Sequence, residues 1–241
     1  MNAPAARWFR PLLSGCAVLG TVLSLLAAAP PARAATTYTP SGGPGLALAG
    51  SYDDPRTPET TLGPGLQLTL IEPDQSISCS GFSYGGSVIG SGTSRAYGAS
   101  AASLSSFSAS GCTNPFFGAT TLTSLTTPNV VITGDPVVGA WPARITNVKW
   151  KVHWANCDLY VEGVVNGRFD PATQTFTPAG NPGTGTSSYV PTGLVVAATP
   201  APPTGSFCAT FDFQVGDNLG IRGIFTNTPP AGSSGLAITN P

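Results

Sequence analysis

The sequence predicts an all-β fold, an antiparallel β-sandwich or flattened β-barrel stapled by two disulfides. Three observations carry this. Apolar and polar residues alternate with period two in several separate stretches, as half-buried strands require. Thirty glycines and 24 prolines in 241 residues, with 41% hydrophobic residues, cut the chain into many short strands joined by turns and leave no credible helix. Four cysteines remain once a leader is set aside, an even number suited to an exported, disulfide-bonded domain.

The leader comes first. Arg7 and Arg10 precede an apolar run from Leu12 to Ala29, followed by Pro30-Pro31 and Ala32-Arg33-Ala34. A basic start, a hydrophobic middle and an A-x-A ending describe a secretory signal peptide spanning 1–34. Leu13-Ser14-Gly15-Cys16 has lipobox form, but its apolar run lies after the cysteine, where lipoprotein processing does not use it. Arg7 and Arg10 are not adjacent, so the twin-arginine route is not supported. No other segment approaches the ~20 apolar residues that span a bilayer. The expected location is secreted and extracellular.

Arg7, Arg10 and Arg33 leave with the leader, so seven of the ten basic residues face eleven acidic ones, a net charge of −4. No basic patch is present to attract phosphates, which argues against nucleic acid as a partner. The roughly 200 residues that remain suffice for one core. Residues 35–65 are rich in Pro, Gly, Thr and Ser and read as a partly ordered leader to a single β-domain over 66–241.

Within that domain Leu66 to Leu70 alternates as a first strand, and Ser76 to Phe82 forms the next around Cys79. Gly85 to Gly98 reads as loop or weak edge strand, and Ala101 to Cys112 as a strand despite its alanines, because five serines weaken a helix. Thr120 to Leu125 and Asn129 to Thr133 follow. The strongest pattern is Val148 to Glu162. Val148, Trp150, Val152 and Trp154 alternate with Asn147, Lys149, Lys151 and His153; beyond Ala155-Asn156, Cys157, Leu159 and Val161 alternate with Asp158, Tyr160 and Glu162. A fold-back at Ala155-Asn156 sets Trp154 against Cys157, Val152 against Leu159, and Trp150 against Val161. On the other face it sets His153 against Asp158, Lys151 against Tyr160, and Lys149 against Glu162. A one-residue slip would put both tryptophans in water.

Phe169 to Thr173 reads as a tight turn, and 176–206 as a loop-rich insertion with a short strand at Leu194 to Ala197. Phe207 to Val215 has every odd position apolar and predicts a strand, paired through a Gly216-Asp217-Asn218 turn with Leu219 to Phe225. Leu236 to Ile238 is a closing edge strand.

Cys79, Cys112, Cys157 and Cys208 allow three connectivities, and sequence alone does not choose among them. Two arguments tilt the choice toward Cys79–Cys112 and Cys157–Cys208. The first pair lies in serine-rich strands most in need of a staple, and Cys157 and Cys208 lie in the two strong hairpins. On simple alternation Cys208 falls on the polar side with Thr210 and Asp212, so that bond needs neighbouring strands or a bulge near Phe207. None of the four stands in a C-x-x-C pair, which leaves zinc and thiol redox chemistry without support.

Several phrases carry a resemblance. Leu68-Thr69-Leu70-Ile71, Ser78-Cys79-Ser80-Gly81, Ser103 to Thr113, Asn156 to Pro171, Phe207 to Phe213 and the ending Leu236 to Pro241 resemble, in order, a group of secreted actinobacterial proteins of uncharacterised function. The likeness covers Leu66 to Pro241 and implies a shared four-cysteine, all-β fold. It brings no catalytic residues, and 176–206 is expanded relative to it.

Enzymatic motifs are weak. Gly81-Phe82-Ser83-Tyr84-Gly85 has nucleophile-elbow form, and Asp135 and His153 follow in hydrolase order, but the glycine-rich stretch after it cannot supply the required helix. His153 is the only histidine and is expected to pair with Asp158 on a sheet surface. Asp158 and Glu162 lie about 13 Å apart along one strand at ~3.3 Å per residue, beyond the ~5–9.5 Å of glycosidase pairs. Asp53-Asp54 and Gly216-Asp217-Asn218 read as turns rather than calcium loops. No cofactor is expected.

The function these residues predict is a non-catalytic secreted β-domain with a binding or cell-surface role. Its ligand would be a glycan, a protein or a small apolar molecule. Surface contacts are placed at Lys149, Lys151, His153, Asp158, Tyr160 and Glu162, and sugar-stacking aromatics at Trp141, Tyr160, Tyr189 and Phe116-Phe117. The alternative is a secreted hydrolase of extracellular polymers, drawing its acid and base from Asp135, Asp158, Glu162, Asp170 and Asp212. An exposed aromatic surface favours the first, and two carboxylates meeting in one cleft the second.

Overall fold

A computed structural model of the chain describes residues 36–42, 45–52, 63–180 and 190–240. The signal peptide, Asp53-Asp54 and Tyr189 lie outside the described residues. In chain order the elements are β1 (Thr37–Ser41), β2 (Leu46–Tyr52), β3 (Gly63–Pro64), β4 (Leu66–Leu70), β5 (Gln75–Val88), β6 (Arg95–Ala96), β7 (Ser100–Asn114), β8 (Gly118–Ser124) and β9 (Asn129–Ile132). Then come β10 (Trp141–Trp154), β11 (Cys157–Asp170), β12 (Thr175–Pro178), β13 (Leu194–Val196), the short helix α1 (Ser206–Thr210), β14 (Asn218–Arg222), β15 (Ile224–Asn227) and β16 (Ala237–Thr239).

Four strands of 14 or 15 residues, β5, β7, β10 and β11, run the length of the molecule. Shorter strands complete two circuits around them. At one end the antiparallel ladder runs β5–β4–β14–β13–β11–β10–β8–β7 and returns to β5. At the other it runs β5–β2–β15–β12–β11–β10–β9–β7 and again returns to β5. The sheet is therefore a closed barrel, eight strands around at either level, rather than an open sandwich. A barrel of eight strands has an interior just wide enough for side chains to fill, and closure removes the exposed edges on which chains aggregate.

Inward positions form one core. Leu66, Leu68, Ile77, Leu159, Val161, Leu219 and Ile221 fill the first end, and Leu46, Leu48, Val130, Ile145, Phe169, Phe176 and Phe225 the second. Trp150 and Tyr84 meet in between, the indole Nε1 donating to the tyrosine hydroxyl at 2.9 Å. Phe82 packs edge-on to both rings, at 5.8 Å and 5.7 Å between centroids. At the second end a cavity of about 10 Å3, lined by Leu46, Ile145, Phe169 and their neighbours, has room for one water at most.

The central hairpin has the expected register: Lys149↔Glu162, Trp150↔Val161, Val152↔Leu159, His153↔Asp158 and Trp154↔Cys157. Below it the parity of β10 changes. Ile145 and Val148 both point inward because one extra residue is inserted between them, with Asn147 at φ 56°. This β-bulge turns Trp141, Ala143 and Ile145 onto the same core as Trp150 and Trp154. A second break lies where Gly111, at φ 58°, faces Ser80: Cys79 and Cys112 are buried above it, and Phe82 and Tyr84 below it.

Both disulfides have the expected pairing. Cys79 and Cys112 are direct cross-strand partners on β5 and β7. Cys157, at the start of β11, is bonded to Cys208 in α1. Together they mark a fold made for an oxidising compartment. Among the described residues no helix is long and apolar enough to cross a membrane.

Four expectations are corrected. Regular structure does not start at Leu66: β1, β2 and β3 precede it. The alternation Leu46-Ala47-Leu48-Ala49-Gly50 puts Leu46 and Leu48 into the core, and β1 lies between β6 and β16 as a cap over the second end. Phe207 to Val215 is no strand. Residues 206–210 form α1, which turns Cys208 inward to Cys157 and leaves Phe207 outside. The expected second hairpin is therefore absent, and β14 pairs instead with β4 and β13. Finally, the strand placed at Ser76 to Phe82 runs on to Val88, into the start of the stretch read as loop or weak edge strand, so Gly81 to Gly85 lies inside a strand.

Candidate functional site

Two surfaces bring together the residues singled out above. The first is the outer face of the β10–β11 hairpin, where alternation turns every second side chain to solvent. Lys149 Nζ lies 2.9 Å from Glu162 Oε2 and donates to Thr199 Oγ1 at 3.2 Å. Asp158 Oδ1 takes His153 Nδ1 at 2.7 Å and Lys151 Nζ at 3.3 Å. Partial burial pushes the Asp158 carboxyl up, but the hydrogen bonds and charges of His153 and Lys151 outweigh it and hold the group below its ordinary range. Tyr160 is half-buried beside them, and its carbonyl accepts the Ala197 N–H. Where the bulge splays the strands, an open groove of about 420 Å3 is lined by Asn147, Val148, Lys149, Glu162 and Gly163. Its two charges neutralise one another, which leaves a salt-bridged ladder instead of an acid and a base facing a substrate.

The other carboxylates named from the sequence are scattered and engaged. Asp135 accepts the Tyr97 hydroxyl at 2.6 Å and Asn240 Nδ2 at 3.1 Å in the cap of the second end. Burial, with the hydrogen bond to Asp135 and its charge, pushes the Tyr97 phenol up to about 12. Asp170 closes its own turn, accepting from the Ala172 N–H and the Thr173 hydroxyl, and these bonds hold it low. Asp217 accepts the Gln214 N–H at 2.8 Å; burial raises its carboxyl, with the charges of Glu72 and Asp212 adding to the effect. Gly216 and Asp217 thus belong to a turn that leads into β14 at Asn218. No group of three or more His, Cys, Asp or Glu among the described residues is placed to hold a metal.

The second surface is the first end of the barrel. The β7–β8 turn carries Phe116 and Phe117, and Asn114 Oδ1 fixes it by accepting both of their N–H groups at 2.8 and 3.1 Å. α1 and the residues after it bring Phe207, Phe211 and Phe213. The Cys157–Cys208 bond and the Phe207 N–H to Asn156 carbonyl contact tie this segment to the hairpin tip. Phe117 stacks on Trp154 at 5.7 Å and meets Phe211 edge-on at 4.6 Å and Phe207 at 5.4 Å. Phe213 closes on Trp154 from the side at 5.4 Å. Above this bed Phe116 is 71% exposed and Phe207 39%. Trp154 is fully buried beneath it, and its Nε1 has no hydrogen-bond partner among the described residues.

Of the aromatics named from the sequence, Phe116 and Phe117 belong to this surface. Trp141 does not: it is a core residue, because the bulge at Asn147 turns it inward. Phe207 and Phe211 were read as strand positions and missed as surface contacts. Their i, i+4 spacing, the spacing of neighbours on a helix, was the available signal. Searches of protein families, curated proteins and solved structures return no match for the chain, so the site rests on its own geometry.

Proposed function

We propose that this protein is a secreted, non-catalytic β-barrel that works by binding a partner outside the cell through the aromatic end of the barrel. The observation that carries the reading is Phe116, largely in solvent, its backbone held by Asn114 and its ring against Phe211, next to the packed pair Phe117 and Phe207. An exposed apolar side chain on a turn whose backbone is fixed in this way is a binding feature more than a folding one. Export is supported by the leader pattern at 1–34 and by the two disulfides. The non-catalytic reading is supported by the carboxylates, each committed to a neighbour: Asp158 to His153 and Lys151, Glu162 to Lys149, and Asp135 to Tyr97 and Asn240. The phrases around the cysteines relate the chain to the secreted actinobacterial proteins named above, and that kinship forms part of the proposal.

The purified mature protein tests it. Incubated with soluble polysaccharides and peptides, it is expected to release no reducing ends or amines above the blank. Release that Asp158→Asn or Glu162→Gln abolishes, with the melting curve unchanged, would overturn the reading. N-terminal sequencing of the exported protein is expected to start at Ala35.

A further inference from the structure

Resting on that reading, we infer that the aromatic end binds an uncharged, β-linked glycan by stacking the C–H faces of its sugar rings on Phe116 and Phe207. Charge narrows the partner first. The segments that build this end, 114–118, 154–157 and 205–211, hold no Lys, Arg, Asp or Glu. The acids that border these segments are engaged, Asp158 by His153 and Lys151 and Asp212 by the Gln214 side chain. The basic side chains nearest the hairpin tip, Lys151 and His153, are paired with Asp158. An anionic lipid surface or a charged peptide finds no counter-charge here, whereas a neutral chain needs none.

Area narrows it further. A phenylalanine presents about 200 Å2, so exposures of 71% and 39% leave on the order of 220 Å2 between the two rings. A stable protein interface needs ~800 Å2 on each side; one or two sugar rings fit what is available. The rim has the right polarity for sugar hydroxyls. Asn156 Nδ2 donates to Ser206 Oγ at 3.0 Å, and both groups are exposed beside Phe207. An amide and a hydroxyl next to an aromatic face can bond the equatorial hydroxyls of a ring stacked on it. The bed beneath is already packed, with Phe117 against Trp154 and Phe211, so binding requires little ordering of side chains.

Cellohexaose and chitohexaose, titrated into the mature protein and followed by calorimetry, test the inference. Phe116 is exposed on a turn, so Phe116→Ala should keep both disulfides and the wild-type melting temperature; Phe207→Ala is the second variant, checked in the same way. Expected are saturable binding of at least one hexasaccharide, a tenfold or greater loss in Phe116→Ala, and a further loss in the double variant. Equal binding by Phe116→Ala, or no binding of either sugar by the wild type, overturns the inference. Phe116-dependent binding to phosphatidylcholine vesicles, or Phe116-dependent dimerisation in light scattering, without sugar binding also overturns it and leaves the binding-domain reading standing. Cleavage of a hexasaccharide would sink both.

Discussion

Trp150 Nε1 donates to the Tyr84 hydroxyl at 2.9 Å in the middle of the barrel, where both residues are almost wholly buried. The bond joins the β10–β11 hairpin to β5, strands that are not ladder neighbours, and it satisfies an indole N–H that no water reaches. Phe82 and Phe107 pack around the pair. Tyr84→Phe keeps the ring and removes the acceptor. The orphaned donor should cost about 1–3 kcal/mol, read as a lower urea midpoint with an unchanged m-value. A midpoint within error of wild type would show that the bond contributes nothing net.

The Cys157–Cys208 bond anchors α1 to the start of β11. Replacing both cysteines by serine should remove on the order of 4 kcal/mol for a closed loop of this length. It should also loosen Phe207 and Phe211, so protease cleavage within 205–217 is expected before global unfolding. Non-reducing peptide mapping of the wild type should recover Cys157 joined to Cys208 and Cys79 joined to Cys112.

Asp158 gives the acid limb of stability a definite sign. Its folded carboxyl is held below the ordinary Asp value, so its contribution is present above about pH 3.9 and is lost as the pH falls through the folded value. Glu72 and Asp170 are lowered as well and act in the same window. Asp158→Asn should therefore flatten, without abolishing, the fall in melting temperature between pH 5 and pH 2, a range set by ordinary carboxylate titration. An unaltered acid limb in that variant would refute the pairing with His153 and Lys151.

Asn147 tests the bulge. At φ 56° it occupies the left-handed region, which Gly adopts freely and Asn tolerates. Its side chain donates to the Thr127 carbonyl at 3.0 Å. Asn147→Gly should be nearly neutral, while Asn147→Val should cost about 1–2 kcal/mol in thermal or urea unfolding. Equal stabilities would mean that the extra residue sits elsewhere in β10.

The hairpin register was legible because a one-residue slip would expose Trp150 and Trp154, while the fold-back at Ala155-Asn156 also sets Lys149 against Glu162 and His153 against Asp158. Other signals were present and masked by composition. The alternation of Leu46 and Leu48 is as regular as that of Leu66 and Leu68, but it lies among the prolines and glycines of 35–65. Ile145 and Val148 stand three apart, a break in period two that marks an inserted residue. Phe207 to Phe213 is ambiguous in kind: Phe207 and Phe211 fit a strand by parity and a helix by their spacing of four, and short apolar runs do not distinguish the two.

By itself the sequence determined the all-β class and the central hairpin with its salt-bridged face, because these depend on neighbours along the chain or directly across one turn; the cysteines favoured one pairing only through the strands they were expected to stand in. Closure into a barrel, the capping of one end by β1 and β16, and the gathering of Phe116, Phe117, Phe207 and Phe211 at the other were decided only by tertiary structure. Each depends on which strand edge remains free once the others have paired. With β4 and β13 on either side of β14, residues 206–210 had no edge of β14 to join. They form a helix instead, and its Cys208 reaches Cys157.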